Sequence, residues 1–211
     1  MPEPIRAISQ PTWGDPDLDA LASLTEALGE GGVVTHKIDR DELTIVVAPE
    51  RWVEAATHLR DAQGYDFLSD VVTADWLGYG GDVAGYWGTE AFGGRDMNRS
   101  GSWGNAAVPK PLGDKRFSVS CHLLKLLTVE PGAHRRLRIQ TWLDDGEPLA
   151  TLIPVYPSAD YHEREAWDMM GIPVEGHPNL VRILMEDDWE GFPLRKDYPI
   201  GGEPVRFSGE E

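Results

Sequence analysis

Leu18, Leu21, Leu24 and Leu28 in "GDPDLDALASLTEALGEGG" recur at three- and four-residue spacing, which predicts a helix burying one stripe. Asp15 is placed to cap it, Pro16 suits its first turn and Gly29 ends it. "VVTHKI" and "LTIVVA" are short β-rich runs, and the "DRDE" between them predicts a hairpin. A second helix is expected over "PERWVEAATHLRDAQG", with Trp52, Val53, Ala56 and Leu59 on its buried side and Gly64 as its stop. "DFLSDVVTADWL" returns to strand character. "FSVSCHLL" alternates, so Phe117, Val119, Cys121 and Leu123 point one way and Ser118, Ser120 and His122 the other. That alternation makes Cys121 a core residue, not a nucleophile. "RRLRIQTWL" pairs with this strand across "EPGAH". The order of elements predicts an α+β fold: a mixed sheet with helices on one face.

Two segments break the pattern. From Gly78 to about Lys115 the chain is dense in glycine, with asparagine, serine and proline, and it carries Trp87 and Trp103. Stretches of this kind are either functional or flexible insertions. From Pro154 onward, proline and glycine punctuate every few residues. After a helix around Glu165 the chain reads as an extended, irregular tail. Such a tail buries no core of its own and is ordered by docking on another surface. We therefore divide the chain into an N-terminal α+β domain, residues 1–157, with the glycine-rich insertion at about 78–115, and a helix with a docking tail, residues 158–211.

Net charge narrows the functional classes. At −17 over 211 residues, an even spread of charge repels nucleic acid and anionic lipid. Arg135, Arg136 and Arg138 form the one small basic patch, which reads as a solvated strand face. A single cysteine excludes a disulfide framework within the chain and fits a reducing cytoplasm. One thiol also cannot supply the ~4 cysteines an iron–sulfur cluster usually takes. "MPEPIRAISQ" has the look of neither a secretory signal nor a transit peptide. Apolar runs such as "TIVVA" fall far short of the ~20 residues that span a bilayer. A soluble chain with at most a peripheral membrane role is expected.

The densest chemistry lies in "YHEREAWDMMG". Asp160 followed by Glu163 has the spacing of a capping box, and Gly171 stops the helix. Arg164 and Asp168 are four apart and can pair along one face. Zinc proteases need two histidines a helical turn apart, but Ala166 stands four after His162. Glu165 and Asp168 share a face and could raise one another's pKa as an acid–base pair. No nucleotide loop or nucleophile elbow accompanies them, and a helix of mutually satisfied charges is the favoured reading. His177 before Pro178 reads as a turn histidine bonded to backbone. "MEDDWEG" lacks the spacing of a calcium loop. "PLRKDYP" sets Arg195, Lys196 and Asp197 in a rigid, extended docking segment. By residues alone the chain is an acidic cytoplasmic α+β domain with a docking tail, an interaction subunit.

"HEREAWDMMGI", "GHPNLVRIL" and "DDWEGFPLRKDYP", in this order between Tyr161 and Pro199, closely resemble the thirty-kilodalton subunit family of respiratory complex I. Met170 and Phe192 depart from it, where the family commonly has Phe and His. The resemblance implies a subunit of the hydrophilic arm of proton-translocating NADH:quinone oxidoreductase that carries no catalytic, cofactor-binding or metal residue of its own. FMN, iron–sulfur clusters and quinone would sit in partner subunits. The main partner implied is the D subunit of that complex, with the B and I subunits beside it, on the cytoplasmic side of the bacterial membrane. It further implies structural or interface roles for Glu163, Arg164, Glu165, Asp168, Gly171, His177, Pro178, Arg182, Arg195, Lys196, Asp197 and Tyr198. Two other readings stay open: the equivalent subunit of a membrane hydrogenase or formate hydrogenlyase complex, and a free-standing acid–base or metal enzyme using His162, Glu163 and Asp168.

Overall fold

The computed structural model describes residues 16–39, 42–77, 115–126 and 135–198. Asp15, most of the glycine-rich stretch with Trp87 and Trp103, the "EPGAH" turn and the chain from Pro199 lie outside the described residues.

The first helix, α1, spans Leu18–Leu28, and Asp17 caps it by accepting the Ala20 N–H at 3.1 Å. Its buried stripe is Ala20, Leu24 and Leu28, with Leu21 partly buried, while Leu18 is 54% exposed. Leu18 lies about 200° around the helix from Ala20, so a stripe centred on Ala20 and Leu24 turns it outward. Asp17 also accepts the Tyr65 hydroxyl and pairs with Lys125 at 2.8 Å, which fastens the start of α1 to the sheet.

Strands β1 (Val33–Asp39) and β2 (Glu42–Val47) pair antiparallel, as the two β-rich runs predict. After a single 3-10 turn, helix α2 (Trp52–Asp61) buries Trp52, Ala55, Ala56 and Leu59. Strands β3 (Phe67–Asp75), β4 (Phe117–Lys125) and β5 (Arg135–Leu143) complete a five-stranded sheet in the order β1-β2-β5-β4-β3. The β2–β5 pairing is parallel and the other three are antiparallel, so the sheet is mixed.

The alternation in β4 sets the inner face. Phe117, Val119, Cys121 and Leu123 lie opposite Leu143, Thr141, Ile139 and Leu137 of β5, and Leu43 and Ile45 of β2 continue the layer. This layer packs against the stripes of α1 and α2 in one core. Cys121 is fully buried there, and burial pushes its thiol pKa up. On the outer face Arg136 and Arg138 are not simply solvated: both reach Glu42, Arg138 at 2.7 Å. Trp76 packs on Trp142 with centroids 5.4 Å apart and donates to the Ser118 hydroxyl.

After β5 the chain makes a short strand β6 (Leu149–Ala150), helix α3 (Ala159–Met170) and a short strand β7 (Val174–Glu175). β6 and β7 pair parallel, with α3 between them in sequence. Leu152, Val155, Tyr156, Ala159, Met169, Met170 and Ile172 join the same core as α1 and α2, so all three helices sit on one face of the sheet. The Tyr156 hydroxyl donates to the Tyr65 carbonyl at 2.8 Å, tying this segment to the end of α2.

Gly171 ends α3 in the left-handed conformation, φ +70°, with its N–H on the Trp167 carbonyl. A Cβ at this position would lie 2.5 Å from the Phe192 ring. Gly171→Ala therefore combines a left-handed backbone penalty with an overlap, together about 3 kcal/mol. The thermal midpoint should fall by about 6–12 °C. An unchanged midpoint would contradict both the left-handed turn and the Phe192 contact.

Candidate functional site

Helix α3 presents its charges in several directions, and Glu163, Arg164 and Asp168 are each met by a different part of the chain. The capping box does not form: Ser158 occupies the N-cap position without a side-chain bond. Glu163 instead turns inward, where one carboxylate oxygen accepts the Thr151 hydroxyl at 2.5 Å and the other the Leu152 N–H at 2.6 Å. Two buried donors that would otherwise lack partners outweigh an N–H that water can satisfy at an exposed helix end. Burial raises the Glu163 pKa, with the Leu152 and Thr151 hydrogen bonds acting against it. Glu163→Ala orphans both donors and should cost about 2–3 kcal/mol. Glu163→Gln keeps one acceptor and should cost less. Urea midpoints of the two variants check the ranking, and equal losses would contradict the hydrogen-bonding role.

Arg164 and Asp168 do not pair with each other. Arg164 donates to the carbonyls of Val181 and Arg182 and lies 5.7 Å from the Tyr161 ring centroid. Asp168 is fully buried. Its Oδ2 accepts the N–H groups of Ile183, Leu184 and Met185 at 3.0, 2.8 and 3.0 Å. Its Oδ1 accepts from Arg182 at 2.5 Å. Burial alone would raise the Asp168 pKa, but the three backbone donors and Arg182 outweigh it and hold the group at about 2. Four converging donors are a stronger claim on the carboxylate than a helix-surface pair with Arg164. Arg182 also donates to the carbonyls of Trp189 and Gly191 and lies over the Trp167 and Phe192 rings.

The remaining predicted residues fall into two places. His177 accepts the Asn179 N–H on Nδ1, which leaves the proton on Nε2, 3.3 Å from the Asp160 carbonyl. Pro178 and Glu165 are exposed. Farther on, the segment around Arg195 is clasped against the sheet. Leu194 N–H and Arg195 Nε donate to the carbonyls of Met169 and Met170. Arg195 also pairs with Asp145, and the Lys196 N–H donates to Asp75 at 2.8 Å. Asp197 accepts from Arg116 at 2.8 Å, and Tyr198 packs beside Gly191. The docking segment, as far as Tyr198, lies on this chain's own α3 and sheet edge.

Sequence reasoning missed the hub of that clasp. Arg116 donates to both oxygens of Asp75 and also to Asp145 and Asp197. The Asp75 side chain has no exposed surface. The available signal was position: Asp75 and Arg116 bracket the glycine-rich stretch, where its two ends must be held together. Thr151 gave no signal of its own.

The trio that a free-standing enzyme would use is not assembled. His162 lies 3.1 Å from Asp70 on β3, while Glu163 faces Thr151 and Asp168 faces the tail. Among the described residues no three His, Cys, Asp or Glu side chains are grouped to hold a metal ion.

The model of the family "Respiratory-chain NADH dehydrogenase, 30 Kd subunit" matches residues 45–204, from β2 through the clasp. The chain belongs to this family. Its relatives include the C subunit of the NADH-quinone oxidoreductase of Salinispora arenicola, 36% identical over 98% of this chain and 71% of that protein. The same subunit of Hydrogenovibrio crunogenus is 36% identical over 92% of this chain and 85% of its own. Among solved structures, the trypsin-resistant fragment of Nqo5 matches at 27% identity with a TM-score of 0.51, covering 77% of this chain and 98% of the fragment. A chain of an archaeal membrane-bound sulfane sulfur reductase matches with a TM-score of 0.58, covering 87% and 85%; at 15% identity it shows the fold alone. The curated relatives are thus subunits of NADH-quinone oxidoreductases, and no helix among the described residues of this chain is long and apolar enough to cross a membrane.

In this thirty-kilodalton subunit Phe192 seals the Gly171 turn between the guanidiniums of Arg182 and Arg195, 5.8 and 5.3 Å from its ring.

Proposed function

We propose that this chain is a scaffold without a redox centre in the hydrophilic arm of proton-translocating NADH:quinone oxidoreductase. It packs chiefly against the quinone-site D subunit, with the B and I subunits beside it, on the cytoplasmic side of the membrane. FMN, iron–sulfur clusters and quinone belong to the partner subunits, and the path from NADH to quinone runs through them. One observation carries the reading: Glu163, Arg164, Asp168, Arg182 and Arg195 of the family motifs are committed to holding this chain's own backbone. Asp168 binds three N–H groups and Arg182, and Glu163 uses both oxygens. Groups so engaged are poor acids, bases or ligands but good fastenings for a rigid surface. The chain also supplies a single cysteine, which lies in the core.

Affinity purification of the tagged chain from native membranes in mild detergent tests the proposal. It should bring down a large iron-rich assembly with NADH:quinone reductase activity. An iron-rich assembly inactive with NADH, or the chain alone, would overturn it.

A further inference from the structure

The outward side of α3 and the segment running beside it hold three large apolar side chains in solvent: Tyr161 at 63% exposed, Leu184 at 61% and Val181 at 44%. They form one ledge. Arg164 bridges Tyr161 to the Val181 and Arg182 carbonyls, and one turn farther along α3 Asp168 holds the Leu184 N–H. Residues 181–184 therefore run alongside the helix, and their backbone is pinned to it. Apolar groups held out rigidly are the kind of anchor that interfaces use, because little side-chain and loop entropy remains to be lost on docking.

The surroundings of the ledge select what covers it. Glu165, four residues after Tyr161 on α3, and Glu186, Asp187 and Asp188, two to four residues after Leu184, are exposed. The two cations of the ledge, Arg164 and Arg182, are turned onto carbonyls and onto Asp168. A second copy of a chain carrying −17 would bring like charge to this rim, and so would nucleic acid or an anionic lipid surface. We infer that the ledge of Tyr161, Val181 and Leu184 is a docking surface for a partner subunit whose face is apolar at its centre and rimmed by lysine and arginine. This rests on the reading of the chain as a subunit of a larger assembly. Apolar anchors supply the affinity, and the carboxylate rim orients the basic partner as it approaches.

Photo-crosslinking tests the inference in the assembled complex. A photoreactive amino acid replaces Tyr161 or Leu184 in the tagged full-length chain, and membranes are irradiated before purification. Both positions should give an adduct with the same partner subunit, mapped to a peptide rich in lysine or arginine. In parallel, the double variant Tyr161→Asp/Leu184→Asp should lower the amount of chain retained in the complex roughly tenfold. If the chain purifies with the assembly but neither position crosslinks, or the adducts map to an acidic peptide, to lipid or to a second copy, the ledge is not this interface. In that case the assembly reading still stands. If the chain brings down no assembly at all, the assembly reading fails and the ledge proposal fails with it.

Discussion

Replacing Asp168 with alanine should destabilise the chain by about 3–5 kcal/mol, the range for removing one partner of a buried ion pair. The substitution leaves the Arg182 guanidinium half-satisfied next to the core and orphans the N–H groups of Ile183, Leu184 and Met185. Losing the carboxylate loosens the stretch from Arg182 to Gly191 as a unit, because Arg182 links Asp168 to the carbonyls of Trp189 and Gly191. The effect also has a pH signature. The folded-state pKa of Asp168 is about 2, below the unfolded carboxylate value of about 3.9. A depressed carboxylate stabilises fully above the unfolded pKa and loses that contribution as the pH falls through the folded value. The stability gap between the native chain and Asp168→Asn should therefore narrow as the pH is lowered from about 5 toward about 2. Urea midpoints across that range measure it. A gap independent of pH would show that the carboxylate's charge is not what holds the segment.

Arg116→Met should have the second large effect, about 3 kcal/mol. Among the described residues Arg116 is the side chain that pairs with the fully buried Asp75 carboxylate, and it holds Asp145 and Asp197 at the same time. With methionine in its place Asp75 keeps, among the described residues, the backbone donors of Leu77 and Lys196. Burial already favours the neutral form of Asp75, and its pKa is held down by Arg116 together with those donors, so it should rise in the variant. The clasp around Arg195 and Lys196 should loosen, and trypsin, which cuts after Arg and Lys, should cleave there faster than in the native chain. Arg116→Met combined with Asp75→Leu removes both buried charges and should recover part of the loss. Unchanged proteolysis in Arg116→Met would mean that the clasp holds without Arg116.

The architecture was legible because periodicity reports burial directly. The strict alternation in "FSVSCHLL" placed Cys121 inside, and the spacing of Trp52, Ala56 and Leu59 found the buried side of α2. Local rules erred where a neighbour distant in sequence offered a better bond. The Arg164–Asp168 pair and the Asp160–Glu163 capping box are both reasonable within one helix. Yet Asp168 binds residues 14–17 positions ahead, and Glu163 binds residues 11 and 12 behind. Arg116 and Asp197 are 81 residues apart, a pairing that no window along the chain contains. The tail's irregular, proline- and glycine-punctuated character was readable from its composition. That it lies, as far as Tyr198, on the chain's own α3 and sheet edge was not, because composition says nothing about direction.

If the motif charges serve the fold and the assembly, and not the chemistry, then losing one of them should change how many complexes form and not how fast each one works. The most direct measurement is NADH:quinone reductase turnover per assembled complex, counted by bound iron, in membranes carrying Asp168→Asn. Fewer assembled complexes are expected, with turnover per complex unchanged. Normal assembly with collapsed turnover would contradict this and return Asp168 to the reaction.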